Sequence, residues 1–206
     1  MKKFKWKIFV ITALVCLSPI ILGVALWDKL PDTMAIHFDI NNNPDNFASK
    51  EFTVIFLPIL MAVLQFVCCF SSDMEEYKNG EQKKLTRILK WIIPVVSVVL
   101  YVMTIGFSLG WVGDIRLVAG GLVGLMLIVT GSCVSQLDYV KNCSIDKDAA
   151  RKFNRFAGIE TVILGALFLL SILLPPTATV VCLFLLIPYS IITVIYYFKI
   201  TRNKKS

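Results

Sequence analysis

The sequence predicts an all-α integral membrane protein with six membrane-spanning helices and both chain ends in the cytoplasm. Of its 206 residues, 57% are hydrophobic and only 17% are charged. A soluble domain has about 45–50% apolar and about 25% charged residues. The apolar residues fall into six runs, and about 20 residues are enough to cross a bilayer. The basic residues lie almost entirely on one side of those runs, which fixes the predicted orientation.

The first apolar run follows a lysine-rich N-terminus, a combination that also occurs in signal peptides. The run is long and has no small-residue cleavage pattern near Trp27, so we expect an uncleaved anchor. Tryptophan prefers the membrane interface, and the four tryptophans bracket the first and third runs. The predicted spans are residues 8–27, 52–70, 91–110, 117–134, 158–174 and 180–198.

The distribution of basic residues predicts which side of the membrane each connection occupies. With six spans, 18 of the 21 lysine and arginine residues fall on the side of the chain termini. The opposite side keeps only Lys29, Lys50 and Arg116. Cytoplasmic segments carry this excess, so both termini are predicted to be cytoplasmic. The predicted organisation is a two-span domain (1–70), a cytoplasmic linker (71–90) and a four-span domain (91–206).

The connection between the first two spans, residues 28–51, is the long segment on the predicted external side. Its five acids and two lysines give a formal charge of −3. Apolar residues alternate with others from Met34 to Ile40, which is typical of a strand. An asparagine-rich stretch with Pro44 follows, and it predicts a turn. We therefore expect an ordered strand and turn above the helix bundle.

The predicted peptide-binding or loop-ordering residues all lie in this loop. Three roles are open for His37: a hydrogen bond to Asp45 or to a turn carbonyl, a ligand contact, or metal ligation with Asp39 and Asp45. No second histidine exists, so a metal site would be poor. Ser49 and Lys50 suit a helix N-cap and an interfacial anchor. The complete set is His37, Phe38, Asp39, Pro44, Asp45, Phe47, Ser49 and Lys50.

These loop motifs resemble a bacterial domain of unknown function that stands at the N-terminus of many SdpI-family membrane proteins. That domain has LP, HF or HW, PDG and SK elements in order, just before a membrane span. Asn42 and Asn46 replace its usual glycines, and asparagine also tolerates positive φ. The matching elements in this chain are Leu30-Pro31, His37-Phe38, Pro44-Asp45 and Ser49-Lys50.

The second half of the chain resembles the same family more weakly. Gly131-Ser132 stands at the family's GN motif, Lys141-Asn142 resembles its K-x-N element, and residues 152–158 resemble its last cytoplasmic segment. The family's G-I-R-T-P-W stretch is missing. The resemblance implies immunity against a secreted, bacteriocin-like peptide toxin of Gram-positive bacteria, with sequestration of a cytoplasmic transcriptional repressor as a second role.

Two further sets of residues can be interpreted either as structural or as functional. The basic residues beside the third and fifth spans either anchor the spans or bind anionic lipid or a cytoplasmic partner. Glu160 either complements a helix dipole at the start of the fifth span or forms an intramembrane ion or proton site. The basic candidates are Lys83, Lys84, Arg87, Arg151, Lys152 and Arg155.

Other function classes have less support. The chain has no HExxH, GxSxG or Walker motif, so we expect no enzyme and no cofactor. Its basic residues are spread over four membrane-flanking segments, which does not suit nucleic acid. A small secondary transporter is the alternative function, although few polar groups lie within the spans. An orphan membrane sensor that sequesters a regulator is a third.

Overall fold

The computed structural model describes residues 4–79, 83–137 and 147–202. Six helical segments in these ranges are long and apolar enough to cross a membrane, which confirms the predicted fold class. The fifth segment starts earlier than the predicted 158–174. The six segments are Trp6–Ala25, Phe52–Met74, Thr86–Ser108, Ile115–Val134, Asp148–Ser171 and Thr177–Ile200.

The helices are broken mainly near prolines. The first segment divides at Ser18 into two helices, because Pro19 removes a backbone donor there. A π-helical turn, Phe52–Phe56, precedes Pro58, whereas Pro94 lies inside one continuous helix. The helices are α1 (Trp6–Leu17), α2 (Pro19–Ala25), α3 (Leu57–Asn79), α4 (Lys83–Ser108), α5 (Ile115–Val134), α6 (Lys147–Ser171), α7 (Pro176–Phe184) and α8 (Leu186–Arg202).

By packing, the chain forms two compact units. The first comprises Met1–Tyr77 and Thr86–Ala119, and the second comprises Lys78–Leu85 and Gly120–Ser206. The domain division predicted at 1–70, 71–90 and 91–206 stays a prediction.

The core of the first unit joins the predicted external loop to the helices. Leu30 and Met34 from the loop pack with Val54, Tyr101 and Ile105. The Tyr101 hydroxyl donates a hydrogen bond of 3.2 Å to the Val54 carbonyl. These contacts seat the loop on α4 and on the start of the second span.

Glycines allow close packing of α5 and α6 in the second unit. A Cβ on Gly124 would lie 2.9 Å from the Gly165 carbonyl oxygen, and a Cβ on Gly131 would lie 2.7 Å from that of Gly158. Small residues let membrane helices approach in this way. Gly120 and Gly124 have the GxxxG spacing that permits close helix packing, and the closest approaches of α5 to α6 are at Gly124 and Gly131, two turns apart.

Candidate functional site

The predicted external loop is a two-stranded antiparallel hairpin. Strand β1 is Thr33–Phe38 and strand β2 is Pro44–Ser49, so the predicted strand and turn are confirmed. The register pairs Ala35 with Phe47 and then His37 with Asn46, which leaves Ile36 between them. The irregularity leaves Ile36 41% exposed, whereas Ala35 is buried, so burial along β1 does not follow the apolar alternation of the sequence.

The Asp39 carboxylate holds the turn of the hairpin together. Its Oδ1 accepts 2.8 Å hydrogen bonds from the backbone N–H groups of Asn41 and Asn43. Its Oδ2 accepts a 3.1 Å bond from the Asn43 amide. These bonds, above all the backbone bond from Asn43, favour the charged form and hold the pKa of Asp39 below its ordinary value. Asn42 takes the positive φ of the turn, +67°.

His37 and Asp45 join the two strands on the solvent side. Nδ1 of His37 lies 2.5 Å from Oδ1 of Asp45, and the two side chains are 67% and 46% exposed. Of the three roles that the sequence left open for His37, this contact corresponds to the hydrogen bond to Asp45. Pro44, which has no N–H group, faces Phe38 at the turn end of the ladder. The Phe38 ring meets Phe107 of α4 edge-on at 4.7 Å.

Lys50 is buried at the base of the hairpin. Its residue is only 8% exposed. Nζ lies 3.2 Å from Oδ1 of Asp32, 3.4 Å from the Trp27 carbonyl oxygen and 5.4 Å from the centre of the Trp27 ring. Ser49 caps the following helical segment, since its hydroxyl accepts the Phe52 N–H at 3.2 Å. Both residues therefore order the hairpin base, and Lys50 does not offer its charge to a ligand.

Asn42 connects the hairpin tip to the connection between α4 and α5. Its Nδ2 donates to the Gly113 carbonyl at 2.6 Å, and its Oδ1 accepts the Ile115 N–H at 2.9 Å. Ile115 is the first residue of α5, so a side chain more than 70 positions earlier satisfies a helix N-terminus. Sequence reasoning gave Asn42 a backbone role only. No pattern in the sequence around Asn42 indicates that its side chain bonds to Gly113 and Ile115.

Three large apolar side chains of the hairpin remain exposed. Ile36, Ile40 and Phe47 are 41%, 57% and 54% exposed. They accompany the exposed carboxylate of Asp45 and the hairpin's other acids. We call these three residues the hairpin apolar patch. An apolar patch among carboxylates suits a ligand that is both apolar and cationic.

A buried polar cluster lies at the opposite end of the first unit. Lys90, the last residue of the predicted cytoplasmic linker, is 1% exposed, and its Nζ lies 2.5 Å from Oδ1 of Asp73. Gln65 donates to the Lys90 carbonyl and to the Thr12 hydroxyl, each at 2.8 Å. Sequence reasoning missed this cluster, because Lys90 directly precedes the predicted span and resembles an interfacial anchor.

The remaining basic candidates are partly described. Lys83 and Lys84 lie in the first turn of α4, where their side chains fall outside the described residues. Lys141 and Asn142 also lie outside the described residues. Arg87 is exposed on α4, and α6 exposes Arg151, Lys152 and Arg155.

Glu160 lies well inside α6. The helix begins at Lys147, more than three turns earlier. A dipole interaction falls off within the first turn, so that interpretation of Glu160 is wrong. Its Oε2 accepts a 3.0 Å hydrogen bond from the hydroxyl of Thr193 on α8.

The helices and the hairpin together define a multi-pass protein of the cell membrane. Residues 14–62 match a family described as "Domain of unknown function (DUF1648)", which spans the end of α1, α2, the hairpin and the start of α3. Over 167 residues the chain is 25% identical to the Immunity protein SdpI of Bacillus subtilis (strain 168), covering 78% of this chain and 77% of that protein. No solved structure shows a significant match. The predicted resemblance to the SdpI family is thus confirmed.

Proposed function

We propose that this protein protects its cell from a secreted antimicrobial peptide and that the hairpin is the surface that recognises the peptide. The observation that carries the proposal is the exposure of Ile36, Ile40 and Phe47, the hairpin apolar patch, on a hairpin that also exposes the Asp45 carboxylate. The similarity to an immunity protein over most of the chain supports it. The loop's formal charge of −3 favours a cationic peptide.

The hairpin is ordered before any ligand arrives. The His37–Asp45 contact joins its strands, Asp39 holds its turn, and Asn42 anchors its tip. Preorganisation lowers the entropy cost of binding, since few side chains must be fixed afterwards. Exposed ion pairs contribute only about 0–1 kcal/mol each. Apolar contacts with Phe47 and its neighbours therefore supply most of the affinity.

The experiment is expression in a sensitive host that is challenged with a panel of purified cationic peptide toxins. The wild-type protein should raise the lethal dose of at least one peptide. Phe47→Ala should lower that protective dose ratio about tenfold, as expected for loss of an apolar contact of about 1.4 kcal/mol. Trp111→Ala is the matched control, because Trp111 is a 66% exposed aromatic residue in the α4–α5 connection.

A second pair of changes tests the polar part of the surface. His37→Ala combined with Asp45→Ala removes the contact between the strands and one acidic group. We expect this double variant to reach the membrane in normal amounts and to lose protection. Full protection by this double variant and by Phe47→Ala would show that the hairpin does not recognise the peptide.

We also propose that the cytoplasmic side can hold a transcriptional repressor once peptide is bound. The exposed basic side chains Arg87, Arg151, Lys152 and Arg155 support binding of an acidic partner or of anionic lipid. Co-purification of the repressor should require both peptide and these residues. If charge reversal at Lys152 and Arg155 changes lipid binding alone, these residues serve the membrane surface.

A further inference from the structure

Two prolines lie buried inside neighbouring membrane-spanning segments of the first unit. Pro58 follows the π-helical turn that opens the second span, and Pro94 lies within α4. A proline has no N–H group, so the carbonyl four residues earlier loses its α-helical donor. The two carbonyls are those of Val54 and Lys90. The bilayer core offers no water, and a side chain of a neighbouring helix can supply the missing donor.

The side chain of Gln65 donates to the carbonyl of Lys90. Its Nε2 lies 2.8 Å from that carbonyl oxygen and 2.8 Å from the Thr12 hydroxyl oxygen, with the Cys69 sulfur at 3.2 Å. The amide carries two hydrogens, and the two shortest contacts use them. Gln65 is fully buried. A glutamine of α3 therefore replaces the hydrogen bond that Pro94 removes from α4.

Tyr101 supplies the corresponding donor in the opposite direction. Its hydroxyl donates a 3.2 Å hydrogen bond to the Val54 carbonyl, which Pro58 leaves without its α-helical donor. A Cβ on Gly23 of α2 would collide with this hydroxyl, so glycine at that position leaves room for it. A tyrosine of α4 therefore replaces the hydrogen bond that a proline removes from the second span.

These two hydrogen bonds lie on opposite sides of the two prolines. Gln65 follows Pro58 by seven residues, and Tyr101 follows Pro94 by seven. Because the two helices run in opposite directions, the bond of Tyr101 lies on the hairpin side of both prolines and the bond of Gln65 on the other side. The eleven residues from Val54 to Gln65 separate the two bonds by roughly 16 Å along the helix.

The first span satisfies its freed carbonyl in a different way. Pro19 removes the α-helical donor of the Val15 carbonyl, and the Ser18 hydroxyl donates to that carbonyl at 2.9 Å. Donor and acceptor belong to the same segment there, so the bond does not join two helices. The bonds of Gln65 and Tyr101, in contrast, each tie one helix to its neighbour.

We propose that Pro58 and Pro94 form a paired hinge in the first unit, and that the hydrogen bonds of Tyr101 and Gln65 lock the helix halves on either side of it. We call these two hydrogen bonds the hinge locks. A helix bends most readily at a proline, because the bond that would fix its angle is missing there. Each lock holds two helix halves together, so bending concentrates between the locks.

The hinge divides the first unit into two parts with different contacts. Tyr101 packs with Leu30 and Met34 of the predicted external loop, so one part carries the hairpin. The other part carries Lys90, whose side chain pairs with Asp73. A displacement of the hairpin is thereby converted into a bend at the prolines. This device goes beyond the proposed immunity function, because the hinge exists whether or not a peptide binds.

The hinge locks are tested by a double-mutant cycle on the unfolding equilibrium of the full chain in bicelles. Gln65→Leu removes the donor to the Lys90 carbonyl, and Pro94→Ala provides an N–H group that can replace it. Gln65→Leu should therefore raise the unfolding constant about tenfold more in the wild type than in Pro94→Ala. Oε1 of Gln65 has no hydrogen-bond partner among the described residues, and leucine removes this buried acceptor equally in both backgrounds. The difference between the backgrounds is therefore the quantity that reports the lock.

The other proline provides the matched control. Pro58→Ala should leave the cost of Gln65→Leu unchanged, because residue 58 does not face the Lys90 carbonyl. It should instead reduce the cost of Tyr101→Phe several-fold. A cost of Gln65→Leu that is equal with and without Pro94, or a rescue of the same size by Pro58→Ala, would overturn the assignment of the locks.

The hinge itself is tested by distances between spin labels on non-natural amino acids, measured in nanodiscs. Labels at the exposed positions Asp32 and Arg87 report the distance between the two parts, and labels at Asp32 and Trp111 report a distance within the hairpin part. Tyr101→Phe combined with Gln65→Leu should broaden the first distance distribution at least twofold and leave the second unchanged.

Replacing both prolines by alanine in that unlocked variant should narrow the first distribution again, since both helices regain their backbone bonds. A first distribution that the loss of both locks leaves unchanged, or equal broadening for the two label pairs, would overturn the hinge. Neither result bears on protection by the hairpin apolar patch, so the immunity proposal would stand or fail separately.

Discussion

Replacement of Asn42 by glycine should release the hairpin tip from the start of α5. Asn42 makes two hydrogen bonds there, of 2.6 Å to Gly113 and 2.9 Å from Ile115. Each such bond contributes about 0.5–1.5 kcal/mol net. Because both bonds are at least partly exposed, their joint loss should cost about 1–2 kcal/mol. Glycine keeps the positive φ of +67° without strain, so Asn42→Gly isolates the side-chain anchor.

The assay is hydrogen exchange of the Ile115 and Arg116 amides, followed by mass spectrometry in nanodiscs. A loss of 1–2 kcal/mol corresponds to exchange about 5–30 times faster at these amides. Asn42→Ala should show a further loss of about 1–2 kcal/mol, since alanine is strained in the left-handed region. Amides in the middle of α6 serve as the reference and should not change.

If Asn42→Gly leaves exchange at Ile115 and Arg116 unchanged, the anchor contributes nothing to the N-terminus of α5. If exchange rises equally throughout the chain, the variant has lost global stability and the effect is not local.

Three further changes test other contacts. Lys90→Met should destabilise the protein by about 3–5 kcal/mol in denaturant unfolding, because it leaves the Asp73 carboxylate without its cationic partner in a largely buried site. Gly158→Ala should cost about 1–3 kcal/mol and lower the melting temperature, since its Cβ would lie 2.5 Å from the Gly131 carbonyl oxygen. Acidification should loosen the hairpin turn. The pKa of Asp39 is lowered by folding, so its stabilisation is present above the ordinary value of 3.8 and is lost as pH falls through the folded pKa. The amide shifts of the turn, recorded by NMR against pH, report that change.

Matched variants give these three tests their controls. Lys90→Met combined with Asp73→Leu should recover most of the stability, because no unpaired charge remains. Gly121→Ala should be neutral or stabilising, since its nearest neighbour outside the helix would be an Ile172 side-chain carbon at 3.7 Å. Asp39→Asn should remove the acid transition of the turn. A double variant at Lys90 and Asp73 no more stable than Lys90→Met alone would contradict the argument about the buried pair.

The sequence was sufficient for the six spans and for the existence of the hairpin. Water is absent from the bilayer core, so every spanning segment must be long, apolar and helical, and this constraint is local. The alternation from Met34 to Ile40 and the asparagine-rich turn are local signals as well. Ser49 as an N-cap and the His37–Asp45 hydrogen bond could also be predicted, because each joins residues that are close together in the sequence.

The sequence was insufficient wherever a side chain acts on a distant element. Lys90 looked like an interfacial anchor, and only the packing of α3 against α4 shows that Asp73 neutralises it in the interior. Ile36 belongs to the apolar alternation of the sequence, and only the register of β1 against β2 shows that its side chain is exposed.

By itself, then, the sequence determined the membrane class of the protein, the number of its membrane-spanning segments and the position of an acidic, partly apolar hairpin. Those features follow from hydropathy and short-range backbone preferences. Only the tertiary structure decided that Asn42 anchors the hairpin to α5 and that Glu160 faces Thr193. Hydrogen bonds between residues far apart in the chain require both helices in place, and no periodicity in one helix encodes its neighbour.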